Sequence, residues 1–317
     1  MSYSLSSAQD NSKLIYINSG DVSESLSEDG SVFTYQLENT IISPETEDLL
    51  VSLYSCVIPY SFYNIRSNIN NRLYLRNLTG NGNPDVDTTI PAGNYTISSF
   101  GNKLKELLQA CSFTSGTYVV SYDRVLMKYR FFATGIVTPQ VSIDTSVYLT
   151  TGPNIEMGFT KGEVKTITLG VEGTPLDSEY STNCPDVNGS VHQVQVRSNL
   201  CSKGCYDSIT KSFSTILGSI PIDVNFGGII FQQPRDNKHK ILISTHHIDK
   251  ITIRLTDDKG RSLNLNGLTF QVAIQVDNVE KKEAIQPMDR VERRVVENHH
   301  YLRKKTESPK RGRPPKN

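Results

Sequence analysis

The chain has 317 residues, 37% of them hydrophobic, and its 33 Lys plus Arg balance 33 Asp plus Glu, so it can bury a full core in one or two domains. No apolar run approaches the roughly 18 residues of a membrane-spanning helix, and no basic start followed by an apolar stretch marks a secreted chain. Five cysteines, an odd number at irregular spacing, lead us to expect reduced thiols in a soluble protein made inside a cell.

The zero net charge hides a polarity. Residues 281–317 hold 12 basic and 5 acidic residues, a net of +7, which leaves 21 basic and 28 acidic in the first 280, a net of −7. Only the tail seeks a polyanion.

Residues 1–12 are polar and patternless and read as a flexible arm. LIYINS (Leu14–Ser19) and SVFTYQL (Ser31–Leu37) read as strands, separated by an acidic, Ser-rich loop. VSLYSCVIPYSFYNI (Val51–Ile65) is the stretch around which the rest of the chain is organised. Val51, Leu53, Ser55 and Val57 share one face of a strand and Ser52, Tyr54, Cys56 and Ile58 the other, so both faces can be buried. Pro59 removes a backbone donor and ends the ladder. Tyr60, Phe62 and Tyr63 then place three rings on the strand exit, where they can pack on the chain's own core or against a neighbouring subunit. We expect a subunit interface there.

RLYLR (Arg72–Arg76) is the next strand, followed by a loop of Gly, Asn and Asp running to Pro91. One helix follows, with Ser98 or Ser99 as its cap and an apolar face of Phe100, Leu104, Leu107, Leu108 and Cys111 at three- and four-residue spacing. It should cover the open end of a sheet. TYVVSY (Thr117–Tyr122) and VLMKYRFFA (Val125–Ala133) form a hairpin about a turn at Asp123. Residues 134–189, rich in Thr, Gly, Pro and Asp, read as a surface insertion with weak strands. VHQVQVRSNL alternates, and strands return at GGIIFQQ, KILIST, IDKITIRLTD and LTFQVAIQV, with a turn at Asp257–Gly260. Ten to twelve short strands and one helix predict a mostly antiparallel sandwich or barrel.

The chemistry of an enzyme is missing from the pattern. There is no GxSxG, P-loop, HExxH or strand–helix GxGxxG. His246 and His247 are adjacent in a strand-like run and point to opposite faces. Cys201 and Cys205, with Cys184 and His192 upstream, lack the second closely spaced pair of a structural zinc site. Glu24, Glu28 and Asp29 read as a solvated loop. We expect no catalytic residues, metal or cofactor.

The last ten residues, SPKRGRPPKN, hold Arg311-Gly312-Arg313-Pro314 flanked by Lys310 and Lys316. This resembles an AT-hook. A narrow A·T minor groove admits a flat backbone, Gly312 lets it sit deep, Pro314 stiffens it, and Arg311 and Arg313 lie along the groove floor. A generic basic tail or nuclear-import signal fits the same run. Either reading makes nucleic acid the ligand.

Several stretches in order carry a family resemblance: LIYINS with SVFTYQLENTI; the I-P-x-S-[FY]-Y-N-I corner; IPAGNYTISSFGNKLKELL; IEMGF (Ile155–Phe159); VQVRSNL; STILGSIP; and IDKITIRLTDDKGRSLNLNGLTFQVAIQV. Over about residues 13–277 the chain resembles the penton, or minor capsid, proteins of virophages, polinton-like viruses and Maverick/Polinton elements. The resemblance implies an all-β, antiparallel jelly-roll β-sandwich over residues 13–280, with one covering helix and a surface insertion at 134–189. It also implies a homopentamer at the vertices of an icosahedral DNA virion, beside a major capsid protein of two jelly rolls, assembled in the host cytoplasm or nucleus. The tail, 281–317, would touch packaged viral DNA. Two other readings stay open: a DNA-binding accessory protein whose β-sandwich is an interaction module, and a trimeric cementing or minor hexon-like subunit.

Overall fold

The computed structural model describes residues 12–281, apart from 23, 26, 28–29, 79–81, 112–115, 136–140, 172, 189–190, 202–204, 209–210 and 233–238. The six DNA-tail residues Lys310, Arg311, Gly312, Arg313, Pro314 and Lys316 lie outside the described residues.

The chain opens with β1 (Ser12–Asn18), β2 (Glu24–Ser25), β3 (Val32–Ile42) and β4 (Glu47–Pro59). Next come β5 (Arg72–Asn77), β6 (Val86–Thr89), helix α1 (Ile97–Ala110), β7 (Thr117–Asp123), β8 (Lys128–Thr134), β9 (Val141–Asp144), β10 (Val164–Thr166) and β11 (Thr168–Leu169). The last third adds β12 (Gln193–Ser198), β13 (Cys205–Asp207), β14 (Ser212–Ser214), β15 (Ile216–Pro221), β16 (Ile229–Gln232), β17 (Ile241–Leu242), β18 (His247–Thr256) and β19 (Gln271–Glu280).

Two sheets form a sandwich. One runs β1-β19-β4-β16, with β17 also on β4, and the other runs β15-β12-β18-β3-β2. Taking β1, β3, β4, β12, β15, β16, β18 and β19 as first to eighth, the sheets read first–eighth–third–sixth and second–seventh–fourth–fifth. Those are the two sheets of a jelly roll. Facing apolar side chains fill the space between them, among them Phe33, Val51, Val194, Ile253, Phe270 and Val272.

The organising strand fills this core in an unexpected way. Leu49, Val51 and Leu53 point inward, and so do Cys56 and Ile58, although their numbers differ in parity. The ladder with β19 explains it: Leu53 pairs with Ile274 but Ser55 pairs with Ala273, so Tyr54 is an extra residue. This β-bulge moves the inward face by one position and bends the strand. Opposite Leu53, a Cβ on Gly218 would lie 2.6 Å from the leucine's Cδ2, so the STILGSIP stretch needs glycine where the two sheets approach.

Between β4 and β12 the chain builds a second β-unit with its own core. Sheets β10-β9-β5-β6 and β11-β8-β7 enclose Ile65, Leu73, Leu75, Phe100, Leu104, Phe131 and Ile143. This insertion is larger than the 134–189 excursion expected from composition. Strand β9 pairs with β5, so sequence on both sides of residue 134 shares one core. Helix α1 belongs to this unit, lying on β7 and β8, and a Cβ on Gly101 would come within 3.0 Å of the Tyr129 ring. Its cap is Thr96, not Ser98 or Ser99. Thr96 Oγ1 accepts from the Ser99 N–H at 3.2 Å and Ser99 Oγ accepts from the Thr96 N–H at 2.8 Å, a reciprocal capping box. The segment before β12 is tied to β8 by a buried ion pair, Arg130 Nε to Glu179 Oε2 at 2.6 Å, with the guanidinium 4.0 Å over the Phe132 ring.

The sandwich has two poles. At one, Tyr60 beyond β4 pairs with Gly227 and Gly228, and Ser19 with Phe270. At the other, Ser43 donates to His246 O at 2.8 Å and Lys281 to Thr46 O at 2.9 Å. The second unit leaves from the Pro59 end of β4. Residue 281 sits at the opposite end, because Glu280 pairs with Glu47.

Candidate functional site at the junction of the two units

The junction begins where β4 stops. Tyr60 N–H donates to Gly228 O at 2.9 Å, and Tyr60 O accepts from Gly227 N–H at 2.9 Å. The Tyr60 ring lies 4.7 Å from Phe62 and edge-on to Phe226 at 5.7 Å. Both members of that pair belong to the jelly-roll core, Tyr60 7% exposed and Phe62 fully buried. Their packing need is met within one chain, at the corner where the sequence led us to expect a subunit interface. Tyr63 is half-buried.

Past the rings, the corner joins the helix entry of the second unit. Asn64 Nδ2 donates to Tyr95 O at 2.7 Å, and Tyr95 N–H donates to Asn64 Oδ1 at 2.9 Å. A primary amide exposes one donor and one acceptor side by side, as a backbone peptide does, so it completes a strand-like pair. Ile65 and Gly93 add two backbone bonds at 3.1 and 3.0 Å. Two motifs bonded across 31 positions, the IPxSFYNI corner and the PAGNYT entry, are thus halves of one joint.

Asn70 extends the network. Its Oδ1 accepts from Arg66 N–H at 2.7 Å, and its Nδ2 donates to Asn64 O at 2.8 Å and to Glu156 Oε1 at 2.7 Å. Glu156 comes from the IEMGF turn, where Gly158 takes φ +74° and a Cβ would meet Asn183 O at 2.3 Å. Burial pushes the Glu156 carboxyl up to about 7, against the pull of the Asn70 bond.

Arg66 reaches the jelly roll itself. Its Nη2 donates to Asp257 Oδ2 at 2.6 Å, both side chains being buried. Asp257 stands in the turn after β18 and also accepts from Arg261 Nε at 2.8 Å, Arg261 N–H at 2.9 Å and Lys259 N–H at 3.0 Å. Burial alone would raise this carboxyl, but the Arg66 and Arg261 donors outweigh it and hold it below the ordinary range. Nearby, His192 Nε2 lies 2.7 Å from Asp186 of the inserted unit and its Nδ1 2.9 Å from Asp258 of the jelly roll. Burial opposes its charge, yet the two carboxylates win and raise it.

Two clefts flank these bonds. One, of about 610 Å³, lies among Tyr60, Tyr95, Val187, His192, Val224 and Phe226. The other, of about 370 Å³, lies among Asn70, Glu156, Lys161, Lys259 and Arg261. Chemically the junction is a clamp: it satisfies buried polar groups from both units and fixes their orientation. Cys201 is buried in the jelly-roll core while Cys184 is exposed on the second unit. Among the described residues no cluster of His, Cys, Asp or Glu is arranged to hold a metal ion, and no helix is long and apolar enough to cross a membrane.

Sequence reading did not single out Arg66, Asn70, Glu156 or Asp257. The signal was the density of Asn in NIRSNINN, more amide side chains than an exposed turn requires, together with two acids in the DDKG turn.

No family model matches the chain, and no curated protein does. Among solved structures it is similar to the crystal structure of selenomethionine-labelled mavirus penton protein, with 12% identity and a TM-score of 0.46 over 84% of this chain and 100% of that one.

Proposed function

We propose that this protein is a structural capsid subunit that forms the pentameric vertex of an icosahedral DNA virus, in contact with a major capsid protein. The observation that carries the reading is the division of one jelly roll into opposite poles. A clamped β-unit stands at the Pro59 end of β4, and the chain enters its +7 tail at the Glu47 end. Thirteen residues of strand separate the two, roughly 40 Å. A shell subunit needs this division, one pole facing outward and the other facing the packaged nucleic acid. The ordered motifs that resemble those of virophage and polinton-like pentons support it, because the stretches before and after β4 and those around Glu156 and Asp257 meet at the junction. On this reading Lys310, Arg311, Gly312, Arg313, Pro314 and Lys316 contact viral DNA inside the virion, and Tyr63 is the member of the aromatic corner left to approach a neighbour.

Light scattering after size exclusion, with and without residues 282–317, tests this. A pentamer that persists without the tail is the expected result. A trimer would favour a cementing or minor hexon-like role. A monomer that holds A·T-rich duplex through its tail would put the DNA-binding accessory reading ahead.

A further inference from the structure

The hairpin of the second unit ends in a way its fold does not require. Strand β7 stops at Asp123 and β8 starts at Lys128, leaving Arg124, Val125, Leu126 and Met127 as the tip. The expected strand began at Val125, but these three apolar residues lie outside both ladders. Val125 is 90% exposed, Leu126 51% and Met127 54%. Hydrogen bonds close the tip. Asp123 Oδ1 accepts from the N–H groups of Val125 at 2.8 Å and Leu126 at 3.0 Å, and Met127 takes a left-handed φ of +53°. Its other oxygen, Oδ2, accepts from Tyr180 OH at 3.0 Å, so this acid is engaged at the neck of the turn. Arg124 and Lys128 flank the three apolar side chains with positive charge.

We propose that this tip is a membrane-contact element that inserts Val125, Leu126 and Met127 into the surface of an anionic lipid bilayer. The left-handed turn at Met127 closes the hairpin, but nothing in the unit's own packing uses the three apolar side chains, which it leaves turned to water. The shape and size choose the partner. A convex tip of three residues is far below the roughly 800 Å² per side of a stable protein interface. A bilayer surface needs only a few apolar side chains at the acyl boundary and cations at headgroup level, and Arg124 and Lys128 flank the apolar tip on both sides to supply them. The inference does not depend on the vertex reading, because the tip belongs to a single chain.

The full-length protein is mixed with phosphatidylcholine vesicles, with and without phosphatidylserine, and floated on a density gradient. Wild type should co-float with the phosphatidylserine vesicles. Replacing Val125, Leu126 and Met127 together by Ser should lower that partition by about tenfold or more, with an unchanged unfolding midpoint. The basic tail also attracts anionic lipid, so a second readout isolates the tip. The chain has no tryptophan, so Leu126→Trp supplies a single reporter whose emission shifts to the blue only if the tip leaves water. An unshifted emission on bound vesicles assigns the binding to the tail and overturns the proposal. So does a triple variant that partitions like wild type, or a wild type that binds no vesicle. Loss of oligomer mass in the triple variant, with unshifted Leu126→Trp emission, would make the tip a subunit contact instead.

Discussion

Arg66 and Asp257 are 191 positions apart, yet they form a buried ion pair at 2.6 Å that joins the first turn of the inserted unit to the jelly roll. Deleting one partner strands the other. Arg66→Ala should therefore cost about 3–5 kcal/mol in urea unfolding, whereas Arg66→Met with Asp257→Asn, which removes both charges and keeps an Oδ1 acceptor for the Lys259 and Arg261 N–H groups, should recover part of it. The pair also sets an acid limit. The Asp257 carboxyl is lowered in the fold, so its contribution is complete above the ordinary carboxylate range and disappears as pH falls through the lowered value. A wild-type acid unfolding curve no steeper than that of the double variant would contradict this.

The aromatic corner gives a contrast within four residues. Phe62 is fully buried in the jelly-roll core, so Phe62→Ala should destabilise the monomer by about 3–5 kcal/mol. Half-buried Tyr63 should lose less than about 1.5 kcal/mol on the same change. Equal losses in chemical denaturation would show the assignment of the two rings to be mistaken.

Asn64 makes its two bonds to Tyr95 with both ends of one amide, and no other single residue type of that size supplies both. Asn64→Ala should cost about 1–3 kcal/mol, and Asn64→Asp at neutral pH a similar amount because it loses the donor. Limited proteolysis should then cleave first between residues 63 and 95, ahead of sites in the sandwich.

Two groups at the junction make it firmer in mild acid. Glu156 is raised to about 7 from an ordinary value of 4.5, so the folded chain binds its proton more tightly. Stability from it is complete below pH 4.5 and declines as pH rises to 7, by up to about 3 kcal/mol. His192 is also raised, so its contribution is present below the ordinary histidine range and is lost as pH rises through the higher value. Thermal unfolding across pH 5–8 should show that decline in wild type and a flatter profile in Glu156→Gln with His192→Gln. Parallel profiles would remove both groups from the account.

The tail makes its own prediction. Arg311→Ala with Arg313→Ala should abolish any preference for A·T-rich duplex and reduce the dependence of log affinity on log salt by about 2. Fluorescence anisotropy at several salt concentrations measures both.

Much of this protein was legible in its sequence because the deciding signals are local. Alternation along Val191–Leu200 and in LTFQVAIQV marks strands, three- and four-residue spacing from Phe100 marks the helix, and the charge split marks the tail. The absence of alternating strand and helix units gave the all-β class as a sandwich or barrel, and the jelly roll came only as what the family resemblance of the ordered motifs implied. Tertiary structure alone decided the rest. The bulge at Tyr54 depends on the β19 ladder opposite it, so the intrinsic pattern of β4 could not say where its inward face changes. Residues 134–189 read as a surface excursion because their strands are short, and only pairing of β9 with β5 made them part of a second core. Val125, Leu126 and Met127 look like strand residues to any local rule, and the Asp123 turn took them out of the ladder. Asn64, Arg66, Asn70 and Asp257 are polar residues that a sequence places in water. Folding buries them together, where each satisfies another, and a bond between residues 191 positions apart leaves no trace in either neighbourhood.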